Sequence, residues 1–167
     1  KEYEIISGSI DSNNNIIFLS IQGYGSFGVE DIYYSKKLSD RWSRLVNCGS
    51  SLNSNYQEIS PYLLNTDTLL FISNRNNNGY KLFYSVKDNE SLESWTEPKA
   101  LEKLNSNSSK LSISRNQKSS TFYISESSDS KTYYDLIEYK VVDLENSFVL
   151  EINIKPEIKS GLLTLST

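Results

Sequence analysis

The chain contains no histidine, no methionine and a single cysteine. Without histidine the commonest general base and the commonest metal ligand are missing, so neither a Ser-His-Asp triad nor a His-based metal centre can be built from these residues. Cys48 alone excludes an internal disulfide and a Cys-based zinc site, and its expected place is a small buried position at a strand end. No G-x-x-x-x-G-K-[ST] phosphate loop occurs, and no apolar run approaches the roughly 20 residues of a membrane-spanning helix. The opening Lys1-Glu2-Tyr3-Glu4 is not a signal peptide. Basic charge is also scarce: 17 Lys and Arg against 21 Asp and Glu give a net charge of −4, and a pI near 5.0 argues against nucleic acid as the main partner. No cofactor is expected.

What is present is a segment that nearly repeats three times. The first copy runs from Ile6-Ser7 through Ile16-Ile17-Phe18-Leu19-Ser20 and Asp31-Ile32-Tyr33-Tyr34-Ser35 to Trp42 and Gly49. The second runs from Ile59-Ser60-Pro61 through Leu69-Leu70-Phe71-Ile72-Ser73 and Lys81-Leu82-Phe83-Tyr84-Ser85 to Trp95 and Leu101. A third passes Leu111-Ser112, Thr121-Phe122-Tyr123-Ile124-Ser125 and Asp135-Leu136-Ile137-Glu138-Tyr139, without a tryptophan. Ser20, Ser73 and Ser125 lie 53 and 52 residues apart, and Trp42 and Trp95 again 53. Each unit holds about four short strand candidates separated by Asn, Ser, Gly and Asp, the sequence form of a four-stranded antiparallel sheet. The fold class is therefore all-β, and the expected architecture is a β-propeller of four-stranded antiparallel blades. Two full blades span about 5–50 and 58–102, and a partial third spans 110–142. Trp42, Trp95, Phe71, Phe83 and Arg75 are the expected repeat-packing residues.

Propellers carry about 4 to 8 blades, which two units and a fraction do not supply. With no methionine, including a starting one, the chain reads as a segment of a larger polypeptide, its remaining blades lying elsewhere in that polypeptide or in another chain. Beyond 142 the pattern changes. Phe148, Leu150, Ile152 and Ile154 alternate with Val149, Glu151, Asn153 and Lys155 up to Pro156, and Leu162-Leu163-Thr164-Leu165 follows Gly161. Residues 143–167 are expected to form a C-terminal β extension, a closing strand or, preferred, the start of a β-sandwich domain.

Chemistry is sparse. The carboxylates Glu30-Asp31 and Glu90 with Glu93 carry no mark of a hydrolytic pair, which would need carboxylates on strands facing a central axis. Asp11-Ser12-Asn13-Asn14-Asn15 opens like a calcium loop, yet Ile16 stands where its glycine belongs and Gln22 where its glutamate belongs; a hairpin turn explains it more simply. Paired tyrosines such as Tyr33-Tyr34 read as one ring inward and one outward. Gly23-Tyr24-Gly25-Ser26-Phe27-Gly28 is the longest flexible loop. Tyr24 and Phe27, with Asn76 and Tyr80 from the second unit, are the candidate protein-contact residues.

The second unit, from Glu58-Ile59-Ser60-Pro61 through Ser73-Asn74-Arg75 and Phe83-Tyr84-Ser85 to Trp95-Thr96-Glu97-Pro98, resembles the WD-like propeller repeat of the TolB type. Gly23-Tyr24-Gly25 and Asp31-Ile32-Tyr33 in the first unit look like its Gly turn and following strand. With Asn53-Ser54 ahead of Glu58, the flavour is similar to repeats of OmpA-family envelope proteins of Bacteroidetes-type bacteria. That resemblance implies a periplasmic or outer-membrane location, partners among outer-membrane and other envelope proteins, and in some members a part in type IX secretion. It covers about residues 5–142 and specifies no activity. The units also depart from the repeat. The Arg after the second strand and the Asp opening the third never occur together, so Arg75 is expected to pair with a neighbouring blade. The expected function is a non-enzymatic protein-binding scaffold in the cell envelope, in contact with envelope proteins and the rest of its own polypeptide. A carbohydrate-binding or glycan-active propeller is the rival.

Overall fold

The computed structural model describes residues 4–151 apart from 12, 76, 78, 103, 106–107, 117–120, 128–133 and 145–146. These form three antiparallel sheets in simple chain order. The first comprises β1 (Glu4–Asp11), β2 (Ile16–Gln22), β3 (Asp31–Lys36) and β4 (Val46–Asn47). The second comprises β5 (Glu58–Leu63), β6 (Thr68–Ser73), β7 (Lys81–Val86) and β8 (Lys99–Ala100). The third comprises β9 (Ser109–Asn116), β10 (Thr121–Ser127), β11 (Tyr134–Leu144) and β12 (Ser147–Glu151). A division after 142 therefore falls inside β11, and Ser147–Glu151 belongs to the third sheet as a partner of β11. The further strand that the sequence places after Gly161 lies outside the described residues.

Two apolar layers hold the sheets together. Between the first and second lie Phe18, Ile32, Tyr34, Cys48 and Leu52, against Leu69, Phe71, Phe83, Leu92 and Trp95. Between the second and third lie Leu70, Ile72 and Leu82, against Phe122, Ile124 and Tyr139. Alternation along β6 sends Leu69 and Phe71 one way and Leu70 and Ile72 the other, so the whole strand is buried. That is why its sequence, Thr-Leu-Leu-Phe-Ile-Ser, reads as a continuous apolar run rather than an alternating one. Each fully buried side chain of this size contributes about 1.5–3 kcal/mol.

The first strands lie side by side at the junctions. Ser60 occupies the left-handed region at φ 51°, in the irregular stretch of β5 between Ile59 and Tyr62. Its N–H donates to Ser7 Oγ (2.8 Å) and its hydroxyl to the Leu111 carbonyl (3.1 Å). One strained residue thus ties β5 to the strand on either side, with a conformational cost of about 1–3 kcal/mol that these bonds hold in place.

The ladders correct the repeat register. Tyr34 pairs with Phe18 and Tyr84 with Leu70, while Ser35 pairs with Ile17 and Ser85 with Leu69. The counterpart of Ser73 in the first sheet is thus Ile21, and Ser20 corresponds to Ile72. A one-residue offset reverses the face. Ser20 points into the first junction, donating to the Glu58 carbonyl (2.7 Å), whereas Ser73 points back toward the first sheet with Phe71.

Candidate functional site

At one end of the sheets, the loop between β2 and β3 carries three exposed apolar side chains, Tyr24, Phe27 and Val29, with Tyr56 beside it. Tyr24 is 84% exposed. The loop's backbone is fixed from beneath by Asp31, a fully buried carboxylate that accepts from the Phe27 N–H (2.8 Å), the Gly28 N–H (3.1 Å) and the Asn47 amide (2.7 Å). The Val29 N–H donates to the Tyr56 carbonyl (3.0 Å). A Cβ at Gly28 would sit 1.9 Å from that same carbonyl oxygen, so only glycine permits this approach.

Next to it, Gln57 organises a polar cluster. Its amide donates to Glu30 (2.6 Å) and its oxygen accepts from Asn74 (2.7 Å) and from the Tyr80 hydroxyl (2.7 Å). Tyr80 is thereby half-buried and engaged, and burial raises its pKa. Tyr24, Phe27 and Tyr80 thus belong to the same end of the sheets, where β2 leads into β3 and β7 begins. Asn76 lies outside the described residues.

The repeat-packing residues divide. Trp95 is 3% exposed, donates to the Leu92 carbonyl (2.8 Å) and meets the edge of Phe18 at 6.3 Å between ring centroids. Phe71 and Phe83 stack on each other, and the Arg75 guanidinium lies 5.1 Å from both rings. Arg75 pairs with Glu58 (3.0 Å), on β5 of its own sheet, and not with a neighbouring sheet as its isolation from an Asp suggests. The reason is that Glu58 sits opposite Ser73, two residues from Arg75; only the ladder reveals this. Glu58 is fully buried and also accepts from the Ser54 N–H and hydroxyl and from Ser73. Trp42 departs furthest from expectation, at 38% exposed with the Lys37 ammonium 5.3 Å from its ring.

Sequence reasoning missed a second ion pair. Lys110, 1% exposed, contacts Glu126, its cross-strand partner, and donates to Ser108 (3.0 Å). Burial, with the Lys81 ammonium nearby, pulls its pKa down to about 8. The signal lay in the spacing. Lys110 follows Glu58 by 52 residues with the opposite charge, and Glu126 follows Arg75 by 51, again reversed. Asn53 and Asn105 share the same 52-residue spacing, and each clamps the third strand of its sheet by bonding the backbone N–H and carbonyl of Ile32 or Leu82.

At the opposite end, the β1–β2 and β5–β6 hairpins border an open polar cavity of about 650 Å³ lined by Asp11, Asn13, Asn14, Tyr62, Asn65 and Arg115, among others. Arg115 lies over the Phe122 ring (5.2 Å), and its buried Nε has no hydrogen-bond partner among the described residues. Asp11 closes its own turn, accepting from the Asn13 and Asn14 N–H groups and the Asn14 amide. Its oxygens are used as a hairpin uses them. Among the described residues no group of three or more Asp, Glu or Cys side chains can hold a metal, and no helix is long and apolar enough to cross a membrane. Of the carboxylates with catalytic potential, Asp31 holds the loop, Glu30 bonds Gln57 and Glu93 accepts from Tyr34 (3.0 Å).

Compared with models of protein families, with curated proteins and with solved structures, the chain matches none of them.

Proposed function

We propose that this stretch is a non-enzymatic, protein-binding part of a propeller-like scaffold in a bacterial cell envelope, with its sheets as blades. The observation that carries the binding role is the Asp31 loop. Exposed aromatic side chains stand on a backbone that a buried carboxylate has already ordered, so little conformational entropy is lost when a partner covers them. Large rings on rigid supports are the usual anchors of protein interfaces. The blade reading draws on the chain-ordered four-stranded sheets, stacked with their first strands adjacent. The envelope location and the outer-membrane partners rest on the resemblance of the second unit alone.

A photo-crosslinking residue at position 24, in the parent protein of the native bacterium, tests this reading. It expects adducts with envelope proteins that disappear when Phe27→Ala is added. No adduct, or adducts indifferent to Phe27, would remove the loop from the reading.

A second reading, a carbohydrate-binding propeller, is favoured by the hairpin-end cavity, whose Asn, Asp and Arg donors and acceptors flank Tyr62. It expects glycan-array binding by the purified chain that Arg115→Ala abolishes and Phe27→Ala leaves intact.

A further inference from the structure

The two outward faces of the stack differ in kind. On the third sheet the described side chains directed away from Phe122 and Ile124 are Ser112, Ser114, Asn116, Thr121, Tyr123, Ser125 and Ser127, with Leu136 and Glu138 on β11. On the first sheet those directed away from Phe18 are Ile5, Ile10, Ile17, Leu19, Ile21 and Tyr33, together with Gly8 and, toward β3 and β4, the polar Asp31, Ser35 and Asn47. Ile5 and Ile10 are each 58% exposed and Ile17 and Leu19 are half-buried, whereas Ile21 and Tyr33 are already buried, Tyr33 with its hydroxyl 3.2 Å from Ser26 of the β2–β3 loop. The open part of the face is its β1 side.

The ladders identify this second face. Ile17 and Leu19 occupy the positions of Leu69 and Phe71, Tyr33 that of Phe83, and Ile10 that of Leu63. Those counterparts are the residues with which the second sheet packs beneath the first. Trp42 obeys the same rule. It bridges Lys37 as Trp95 bridges Lys87, and Trp95 is the ring that the first sheet covers. Even the partly exposed Trp42 is explained, because among the described residues the Lys37 ammonium, and no sheet, lies over its ring.

We propose that this face seats one more four-stranded antiparallel sheet of the same repeat, carried ahead of the first sheet by the same polypeptide. Its facing side would be aliphatic and aromatic, as Leu70, Ile72, Leu82 and Tyr84 are toward the third sheet. A second copy of the chain fits less well, because its available forward face is the polar one of the third sheet. The stack therefore extends from the first sheet. This proposal rests on the blade reading, but not on the Tyr24 loop or on any envelope partner, and its test involves neither.

The probe is a duplicate of residues 53–104 fused ahead of Lys1, with Trp95→Phe in the duplicate only. Trp95 of the original unit is buried already, so the quenchable fluorescence reports Trp42. The expected result is a blue-shifted, acrylamide-protected Trp42 and amide exchange in β1 slowed by about tenfold or more. Leu70→Lys with Ile72→Lys in the duplicate should abolish both effects. Three outcomes overturn the proposal. One is a duplicate that is itself protected while Trp42 stays quenchable, or one that stays unprotected against the ready face. Another is protection that survives the lysine pair. The third is an unfused chain that sediments as a dimer with Trp42 already shielded, which would give the face to a second copy.

Discussion

Trp42 and Trp95 stand at corresponding corners of consecutive sheets, yet one is 38% exposed and the other 3%. Two differences separate them. Trp95 has a sheet in front of it, and among the described residues Trp42 does not. The segment leading to Trp95 is also longer, eight residues from Lys87 against five from Lys37, and the extra length brings Leu92 and Glu93. Leu92 joins the apolar layer, and Glu93 accepts from Tyr34 across the junction. A repeat motif thus specifies where a side chain starts, while the neighbour decides whether it becomes core.

The largest effects should come from the tryptophans themselves. Trp95→Ala is expected to cost about 3–5 kcal/mol in urea unfolding, as for large aromatic deletions in a core, and Trp42→Ala about 0.5 kcal/mol, as at a surface. Equal losses would break the comparison.

Glu58→Ala removes the fully buried carboxylate that pairs with the half-buried Arg75 and accepts from Ser54 and Ser73, while Arg75 keeps its bond to the Leu52 carbonyl, and should destabilise by about 3 kcal/mol. At the corresponding place on the first sheet, Ile5→Ala should change stability by about 0.5 kcal/mol or less. The same denaturation assay reads both, and a comparable loss at Ile5 would mean that the first sheet's outer face is covered in solution.

Tyr34→Phe removes only the bond to Glu93 and is expected to cost about 0.5–1.5 kcal/mol. A Trp95 emission maximum unchanged in this variant would assign the burial of Trp95 to the facing sheet; a red shift would assign it to the clamp.

The first junction also sets a pH limb. Burial, then the Glu93 hydrogen bond, pushes the Tyr34 pKa from 10.0 up to about 12, and burial raises the Cys48 thiol well above its ordinary 9.0. Above those ordinary values the unfolded chain releases protons that the fold retains, so stability falls as pH rises from about 9 through 12. Lys110 has the opposite sign. Its lowered pKa makes stability rise between about 8 and its ordinary 10.5. Cys48→Ala and Tyr34→Phe together should flatten the falling limb in pH-dependent melting, and a limb that persists would place its cause outside the first junction.

Strand positions were legible from the sequence because Ile, Phe and Tyr runs between Asn and Gly turns leave few alternatives; β2, β3, β6, β7 and β10 lie where the runs are. The single Cys48 is buried directly after β4, as a small apolar side chain would be. Register was not legible. Matching Ser20 to Ser73 is natural by eye, yet cross-strand pairing equates Ser73 with Ile21, and one residue exchanges inside for outside. The partner of Arg75 was hidden for the same reason. Of the loop residues, Tyr24 and Phe27 were findable from the glycines around them, whereas the buried acceptor that orders them, Asp31, reads in the sequence only as the start of a strand.

The reversed ion pairs have a consequence for how similar units avoid one another during folding. Repeats this alike invite a strand of one to add to the sheet of the next. If β5 took β10 as its partner in the native register, Glu58 would face Glu126, and if β9 took β6, Lys110 would lie beside Arg75. Either misassembly would bury two like charges together. Reversing the sign between neighbours gives each hairpin an address, and the wrong pairing is rejected by repulsion where hydrophobic pattern alone would accept it.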